Sequence, residues 1–467
     1  MWSWNLDVRR FWLVVVGACL TAIPAFGDSN VRIVRLSDVH GNVEIDRATG
    51  QGYEKAFLNL PITEGVKLRA KEDGRAEIEF EDGSTVRITP GTGVEFPQLS
   101  LRDSGGRGST VAVQEGVAYV NFLGAKGDDF RVIFGRETVN LGQAAHFRIQ
   151  INDTAAALAV YRGEVTVEGE SGEAKVSKNR TVTFDLTNNN AFKLASGIAD
   201  DPFDQWDKQQ DQYHARNSAN SANIPYGYGL SDLNYYGSYY NLPGYGLCWQ
   251  PYFVGAGWDP FMNGAWAWYP GFGYMWVSSY PWGWMPYRYG SWFYAPGYGW
   301  MWQPTGSWAG WNTIPVVVNP PKTFVFPRPP ATTGGAPVVV NRAPVRTLTV
   351  PSSKKIVIRS DSAGLGIPRG SIGNLARVSS QVRQQGSATA NIRVTPVPVT
   401  SRVAGWGGPG NPRSTAGPSS VGRQGTAPPR AAPAQPRSAP SMAPPSMPRS
   451  APAPHSAPAP HGNPSPR

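Results

Sequence analysis

Cysteine is nearly missing from this chain. Two in 467 residues, Cys19 and Cys248, exclude a disulfide-stapled scaffold and a cysteine-built zinc site. Histidine is scarce as well: of the five, none stands at a metal-binding spacing. His40 and His146 fall on expected strands, and His214, His455 and His461 lie in polar stretches. No metal and no cofactor are therefore expected. A phosphate-cradling Gly-rich loop, a Gly-x-Ser-x-Gly elbow, a zincin motif and a Ca²⁺-loop pattern are all absent. Acidic pairs such as Glu79/Glu81 sit on strand faces expected to be solvated. No residue earns a catalytic assignment, and the chain is not expected to be an enzyme. After the N-terminal stretch, no run reaches 18 apolar residues without Gly, Pro or charge, so no second membrane span is expected.

What is abundant is glycine (53), proline (43) and tryptophan (17). Gly and Pro together make about a fifth of the chain against roughly 12% in ordinary proteins, which argues for unlike segments joined end to end. Residues 1–27 read as a signal peptide: Arg9 and Arg10, an apolar stretch from Phe11 to Phe26, and small residues at Ala25 and Gly27 for cleavage. An uncleaved anchor is an alternative, as is lipoprotein processing at Cys19, because Val16-Gly17-Ala18-Cys19 resembles a lipobox. After cleavage Cys248 is a lone thiol between Leu247 and Trp249, expected to pack as a small apolar residue.

Residues 28–195 read as an all-β domain of short strands and regular turns. Ala76–Phe80 and Thr85–Ile88 alternate apolar with polar, and Glu81-Asp82-Gly83-Ser84 supplies an Asp-Gly hairpin turn. Further strands are expected at Val39–Ile45, Val111–Val113, Val117–Phe122, Phe130–Phe134, Phe147–Ile151, Leu158–Tyr161 and Val165–Glu168, with Gly116, Gly142 and Gly163 as punctuation. One polar face per strand fits a β-sandwich or a rolled sheet.

The segments Leu60 to Arg69, Asp73 to Ile78, Asp82 to Ile88, Val139 to Gly142, His146 to Ile149 and Val160 to Val167 resemble the FecR-like periplasmic domain. The family's Gly-Thr pair before a Phe strand is replaced here by Gly142-Gln143. In the founding iron-transport regulators one membrane span tethers that domain to a cytoplasmic anti-sigma segment. Neither is expected here, so the resemblance implies a free extracytoplasmic binding module.

A helical connector spans 196–224. Asp201 before Pro202 is a helix-start signal, and Phe203, Trp206 and Tyr213 share one face of a helix expected over 202–216. Gln209, Gln210 and Asp211 are expected to face water.

Residues 225–311 form a Trp/Tyr/Gly-rich repeat. From 226 onward this stretch holds 12 of the 17 Trp and 15 of the 19 Tyr, yet only three charges, Asp232, Asp259 and Arg288. Gly237/Gly264/Gly290, Pro243/Pro270/Pro296, Gly244/Gly271/Gly297, Gly246/Gly273/Gly299 and Trp249/Trp276/Trp302 recur at steps of 27 and 26. Each Pro-Gly suits the centre of a type II turn, so three antiparallel hairpins in a repeated meander are expected. The stretch also resembles an uncharacterised Trp/Tyr-rich module that follows FecR-like domains in bacterial secreted proteins.

The rest is basic. Residues 312–467 carry 29 of the 43 Pro and 18 Lys/Arg against one acid, Asp361. Residues 312–400 are expected to be partly ordered, with strands at Leu348–Val350 and Lys355–Arg359 and a helix near Ile372–Gln385; 401–467 is expected to be a disordered Pro/Ala/Ser/Arg tail.

The expected whole is a mainly β exported protein, periplasmic, outer-envelope or extracellular, that binds without catalysis. An envelope protein or an anionic envelope polymer is the expected partner, met in part by the basic tail. Export removes nucleic acid despite a pI near 9.5. Two alternatives stand beside this: glycan binding by exposed aromatics, with Trp268, Tyr269, Phe293 and Tyr294 as the candidate row, and a part in FecR-type envelope signalling.

Overall fold

In the computed structural model, residues 32–102, 104–170, 172–306, 316–341 and 355–393 are described. The expected signal peptide with Cys19, the strand Leu348–Val350 and the tail 401–467 lie outside them. The described part is mainly β, with 46% strand and 10% helix.

The alternation around 76–88 folds as its periodicity demands. Ala76, Ile78, Val86 and Ile88 point into the core, and strands Arg75–Glu79 and Thr85–Ile88 close a hairpin over Asp82-Gly83. The Asp82 carboxylate accepts the Ser84 N–H at 2.9 Å, and Gly83 takes the left-handed conformation at φ +88°. This hairpin lies inside an antiparallel layer. It runs Pro61–Ile62, Val34–His40, Arg75–Glu79, Thr85–Ile88, Arg107–Phe122, Ala145–Ile151, Ala155–Arg162, Arg180–Asp185 and Ala191–Ser196.

A second layer runs Glu54–Lys55, Val43–Asp46, Lys67–Ala70, Thr92–Leu101, Arg107–Phe122 again, Asp129–Phe134, Glu137–Leu141, Glu164–Gly169 and Gly172–Ser177. Strand Arg107–Phe122 therefore belongs to both: residues up to Glu115 pair in the second layer and those from Gly116 in the first. Gly116 makes the change of layer, at φ +88°, where a Cβ would sit 2.5 Å from the Gly91 carbonyl oxygen. The two expected strands at 111–113 and 117–122 are thus one bent strand. Conversely, the single strand expected at Val39–Ile45 is two, because Gly41 at φ +64° turns the chain between Val34–His40 and Val43–Asp46.

The three repeats are hairpins, as their Pro-Gly pairs require. Gly237–Leu242 pairs Gly246–Pro251, Asn263–Tyr269 pairs Gly273–Ser278, and Ser291–Ala295 pairs Gly299–Gln303. Gly244, Gly271 and Gly297 stand at φ +81°, +77° and +82°, the third position of type II turns. The recurring Gly and Trp explain one another: a Cβ on Gly237 would lie 2.3 Å from Trp249 Cζ2, and one on Gly264 2.4 Å from Trp276 Cζ2. Each glycine clears the ground on which its own repeat's indole lies.

The hairpins do not form one sequential meander. The first and third share a five-stranded sheet through Trp249 opposite Trp302, while the second sits apart with Val338–Asn341. The inner rings of these hairpins and their loops meet instead of side by side strands: Trp249, Trp258, Trp282, Trp292 and Trp302 are all buried in ring contacts of 5.0–6.4 Å.

Neither edge of this module is a packing boundary. Ala267, Tyr269, Met275 and Val277 of the second hairpin join the core of the two-layered β part. Lys355–Arg359 is a strand as expected, paired with Ser387–Asn391, and a helix runs Leu375–Gln385; their Ile356, Ile358, Leu375 and Val382 complete the tryptophan core. Residue 311 therefore ends the repeat without ending the fold. No described helix is long and apolar enough to cross a membrane.

Candidate functional site

The outer face of the first layer is polar, and it is not solvated. Glu79 and Glu81 are 1% and 3% exposed, which overturns the expectation that they face water. Helix Asp204–Asn217 lies across this face, with Phe203, Trp206 and Tyr213 turned inward. The helix starts two residues later than expected, and Asp201 accepts the Phe203 N–H at 2.8 Å just before it. Asp204, Asp207, Asp211 and His214 fall at helical spacing, so one side of the helix meets the sheet with charge.

Arg87 anchors one half of the seam. Its guanidinium reaches Glu77 at 2.8 Å, Asp207 at 2.6 Å and Asp211 at 2.7 Å. Asp211 is thus a buried-face partner rather than part of a wet surface. Arg148 donates to Asp204 at 2.8 Å and to the Ala199 carbonyl at 2.7 Å, and Tyr119 and Tyr161 donate to the same Asp204 carboxylate. His214, expected in a polar stretch, is held with Nε2 3.0 Å from Glu77 and Nδ1 3.0 Å from Ser231.

The other half reaches across to the aromatic module. Arg35 pairs with Glu79 at 3.1 Å and with Asp232 at 2.7 Å, and donates to the Pro281 carbonyl at 2.7 Å. Asn59 donates to the carbonyls of Ser278 and Tyr280, and Tyr269 to that of Pro61. Arg369, far along the chain, forks onto both oxygens of Asp232 at 2.9 and 2.6 Å and reaches Glu77 at 2.8 Å.

These contacts set the protonation states. Burial alone would raise the Glu77 carboxyl, but the charges of His214, Arg87 and Arg369 and a hydrogen bond from His214 hold it well below the usual range. Burial pushes Glu79 up despite His214 and Arg35, with Asp232 adding to the rise. For His214 burial acts downward, yet Glu77 and then Glu79 raise it above its ordinary value. Asp207 and Asp232 are lowered against their burial, the first by Arg87 and His146, the second by Arg369 and Arg35.

His146, Asp207 and Asp211 are close enough to hold a metal ion. The donor set is nevertheless already neutralised: Arg87 pairs with both carboxylates, and His146 Nε2 lies 2.9 Å from Asp207. A dication would have to share these acids with a buried guanidinium, so the cluster fits an ion-pair seam better than a metal centre.

The four aromatic candidates do not form an exposed row. Tyr269 and Phe293 are buried at 0% and 4%, and Trp268 and Tyr294 are half-buried. Arg47 stacks on Tyr269 at 5.1 Å and donates to the Trp268 carbonyl. Of the four, Tyr294 borders an open cleft, of about 570 Å³, between the first and third hairpins and helix Leu375–Gln385. Tyr240, Tyr252, Tyr298 and Trp300 wall it, with Arg383 at its side. A second cleft of about 550 Å³ opens over the seam beside His214, Arg87 and Arg162. Cys248 is buried, as expected of a lone apolar-packed thiol.

Two family matches correspond to these parts. Residues 66–166 match the FecR protein family, and residues 230–331 match DUF6600, a family of unknown function. Two crystal structures of a protein described as a candidate anti-sigma factor of Parabacteroides distasonis ATCC 8503, at 1.65 and 2.50 Å, are similar at 21% and 20% identity. Each likeness covers 28% of this chain and 60% of that chain, with a TM-score of 0.25, so the chain spans about three-fifths of their length. No curated protein matches.

Proposed function

We propose that this is a noncatalytic interaction protein of the bacterial envelope, in which a FecR-type β part and an aromatic module act as one rigid binding body. The FecR match supports an envelope signalling or interaction role. The observation that carries the finer reading is the seam itself. Arg35, Asn59, Tyr269 and Arg369 tie the two parts through buried polar bonds, leaving no hinge at the junction for a relay between them. The buried charges of the seam are spent on one another in ion pairs. The indoles serve as core, filling the place that Val, Ile and Leu take elsewhere.

Recognition then belongs to the surface. The test is mild cross-linking of the exported protein in its native envelope, followed by identification of what is captured. Envelope proteins or polymers are the expected catch; a cytosolic partner set, or turnover of a substrate by pure protein, would contradict the proposal. Glycan binding is a second reading, favoured by the tyrosine-walled cleft rather than by the row named from sequence.

A further inference from the structure

The tyrosine-walled cleft between the first and third hairpins has a chemistry of its own. Tyr298 is 60% exposed and Tyr240 37%; Tyr245, at 41%, stacks on Phe293 and does not line this cleft. Tyr298 stands on the turn of the third hairpin between Gly297 and Gly299, both at positive φ, which presents its ring outward. Beneath it, Tyr294 meets Trp300 edge-on at 5.9 Å, and Trp300 rests against Phe324 at 4.8 Å. Tyr252 is held by a hydrogen bond with Ser238.

The floor is also fixed. Gln250 donates to the carbonyls of Tyr298 and Trp300 at 2.7 and 3.1 Å, clamping the third hairpin onto the first. Ser379 accepts the Phe253 N–H at 3.3 Å, which docks helix Leu375–Gln385 along the opposite wall. The rings of Tyr294, Trp300 and Tyr252 and the backbone that carries Tyr298 thus stand in place before any ligand arrives, which lowers the ordering cost of binding. With those two carbonyls taken, the described residues offer the cleft ring faces, phenol hydroxyls, the Ser379 hydroxyl and one charge, Arg383. Among the described residues no carboxylate lines it.

From this we propose that the cleft binds an acidic polysaccharide strand: sugar rings lie on the faces of Tyr298 and Tyr240, their hydroxyls meet the phenols, and Arg383 takes a ring carboxylate. Sugars present an apolar C–H face and a hydroxyl rim, which matches aromatic planes bearing hydroxyls. A lone cation in a cleft without acids selects an anionic strand over a neutral one. This rests on the second reading above, and it names the ligand class of that site.

The experiment titrates the full exported protein with oligogalacturonate, a neutral β-glucan oligosaccharide of equal length, and a proline-rich decapeptide, reading tryptophan fluorescence and calorimetry. Oligogalacturonate is expected to bind more tightly than the glucan. Tyr298→Ala should weaken it about fivefold to tenfold, while Tyr298→Phe, which retains the ring and loses only the hydroxyl, should weaken it less. Arg383→Gln should erase the preference for the acidic strand and leave glucan binding unchanged. Both side chains are at the surface, so an unchanged melting temperature separates lost contact from lost fold. Absence of oligogalacturonate binding, equal binding of the glucan, or preference for the peptide overturns the inference. Those results leave the envelope-interaction reading standing if cross-linking still captures an envelope protein from Tyr298→Ala.

Discussion

Replacing Arg87 by Met tests the seam where its charge is most concentrated. The guanidinium is 1% exposed and serves three carboxylates at 2.6–2.8 Å, two of them, Glu77 and Asp207, 0% and 4% exposed. Solvent screening is therefore weak for those two and stronger for Asp211, which is 22% exposed. Removing one member of a buried pair costs about 3–5 kcal/mol, because the acids left behind stay desolvated. Here Glu77 keeps His214 and Arg369, and Asp207 keeps His146 at 2.9 Å, so the lower end applies, about 3 kcal/mol. The assay is urea unfolding at pH 7, followed by tryptophan fluorescence and by far-UV circular dichroism. Asp207→Asn in the same chain removes one stranded charge, so the double variant should lose less than the sum of the singles, with a coupling of about 1–2 kcal/mol. The cost should change little with added salt. A loss under about 0.5 kcal/mol, the range of ordinary surface changes, together with no coupling, would refute the reasoning.

Three further outcomes are expected. Stability should fall on both sides of a middle pH range. Glu77, Asp207 and Asp232 have lowered folded values, so their contribution is present above the usual carboxylate range and is lost as acid protonates them. His214 is raised, so its contribution is full below about 6.5 and fades as pH climbs through its folded value; Glu79, also raised, shifts the balance in the same direction. Urea midpoints across pH should show both limbs, and His214→Gln should flatten the upper one. Gly237→Ala should destabilise by about 1–3 kcal/mol through collision with the Trp249 ring, whereas Gly244→Ala, with open space and only a left-handed backbone to oppose it, should cost about 1–2 kcal/mol. Trp282→Ala should cost about 3–5 kcal/mol, since the ring is fully buried and its indole N–H donates to the Ala363 carbonyl at 2.7 Å. Thermal melts of these variants check the order.

Much of this architecture can be read from local chemistry. Asp82-Gly83 between two alternating runs gives a hairpin, and Pro243-Gly244, Pro270-Gly271 and Pro296-Gly297 give three more, because positive φ is needed there and few other residues supply it. Gly116 shows the limit of that logic. The same residue that ends a strand elsewhere here bends one strand between two layers, and only the pairing partners tell the cases apart. Likewise, repeat spacing shows that hairpins recur without showing that the first pairs with the third through Trp249 and Trp302.

The largest departure concerns polarity. Alternation around Glu77, Glu79 and Glu81 is real, but it distinguishes two faces without saying that the second is wet. The signal that could have revealed the seam was the helical spacing of Asp204, Asp207, Asp211 and His214, an acidic stripe opposite a sheet face bearing Arg87 and Arg148. The cleft was partly legible through Tyr294. Its other walls come from hairpins two repeats apart and from a helix some eighty residues downstream, a meeting that no local pattern encodes.

Differential scanning calorimetry of the full chain tests the central claim that the FecR-type part and the aromatic module are one body. A single cooperative transition spanning both is expected, shifted down as a whole by Arg35→Met, because that residue's bonds to Asp232 and Pro281 cross the junction. Two separate transitions, with one of them indifferent to Arg35→Met, would contradict it.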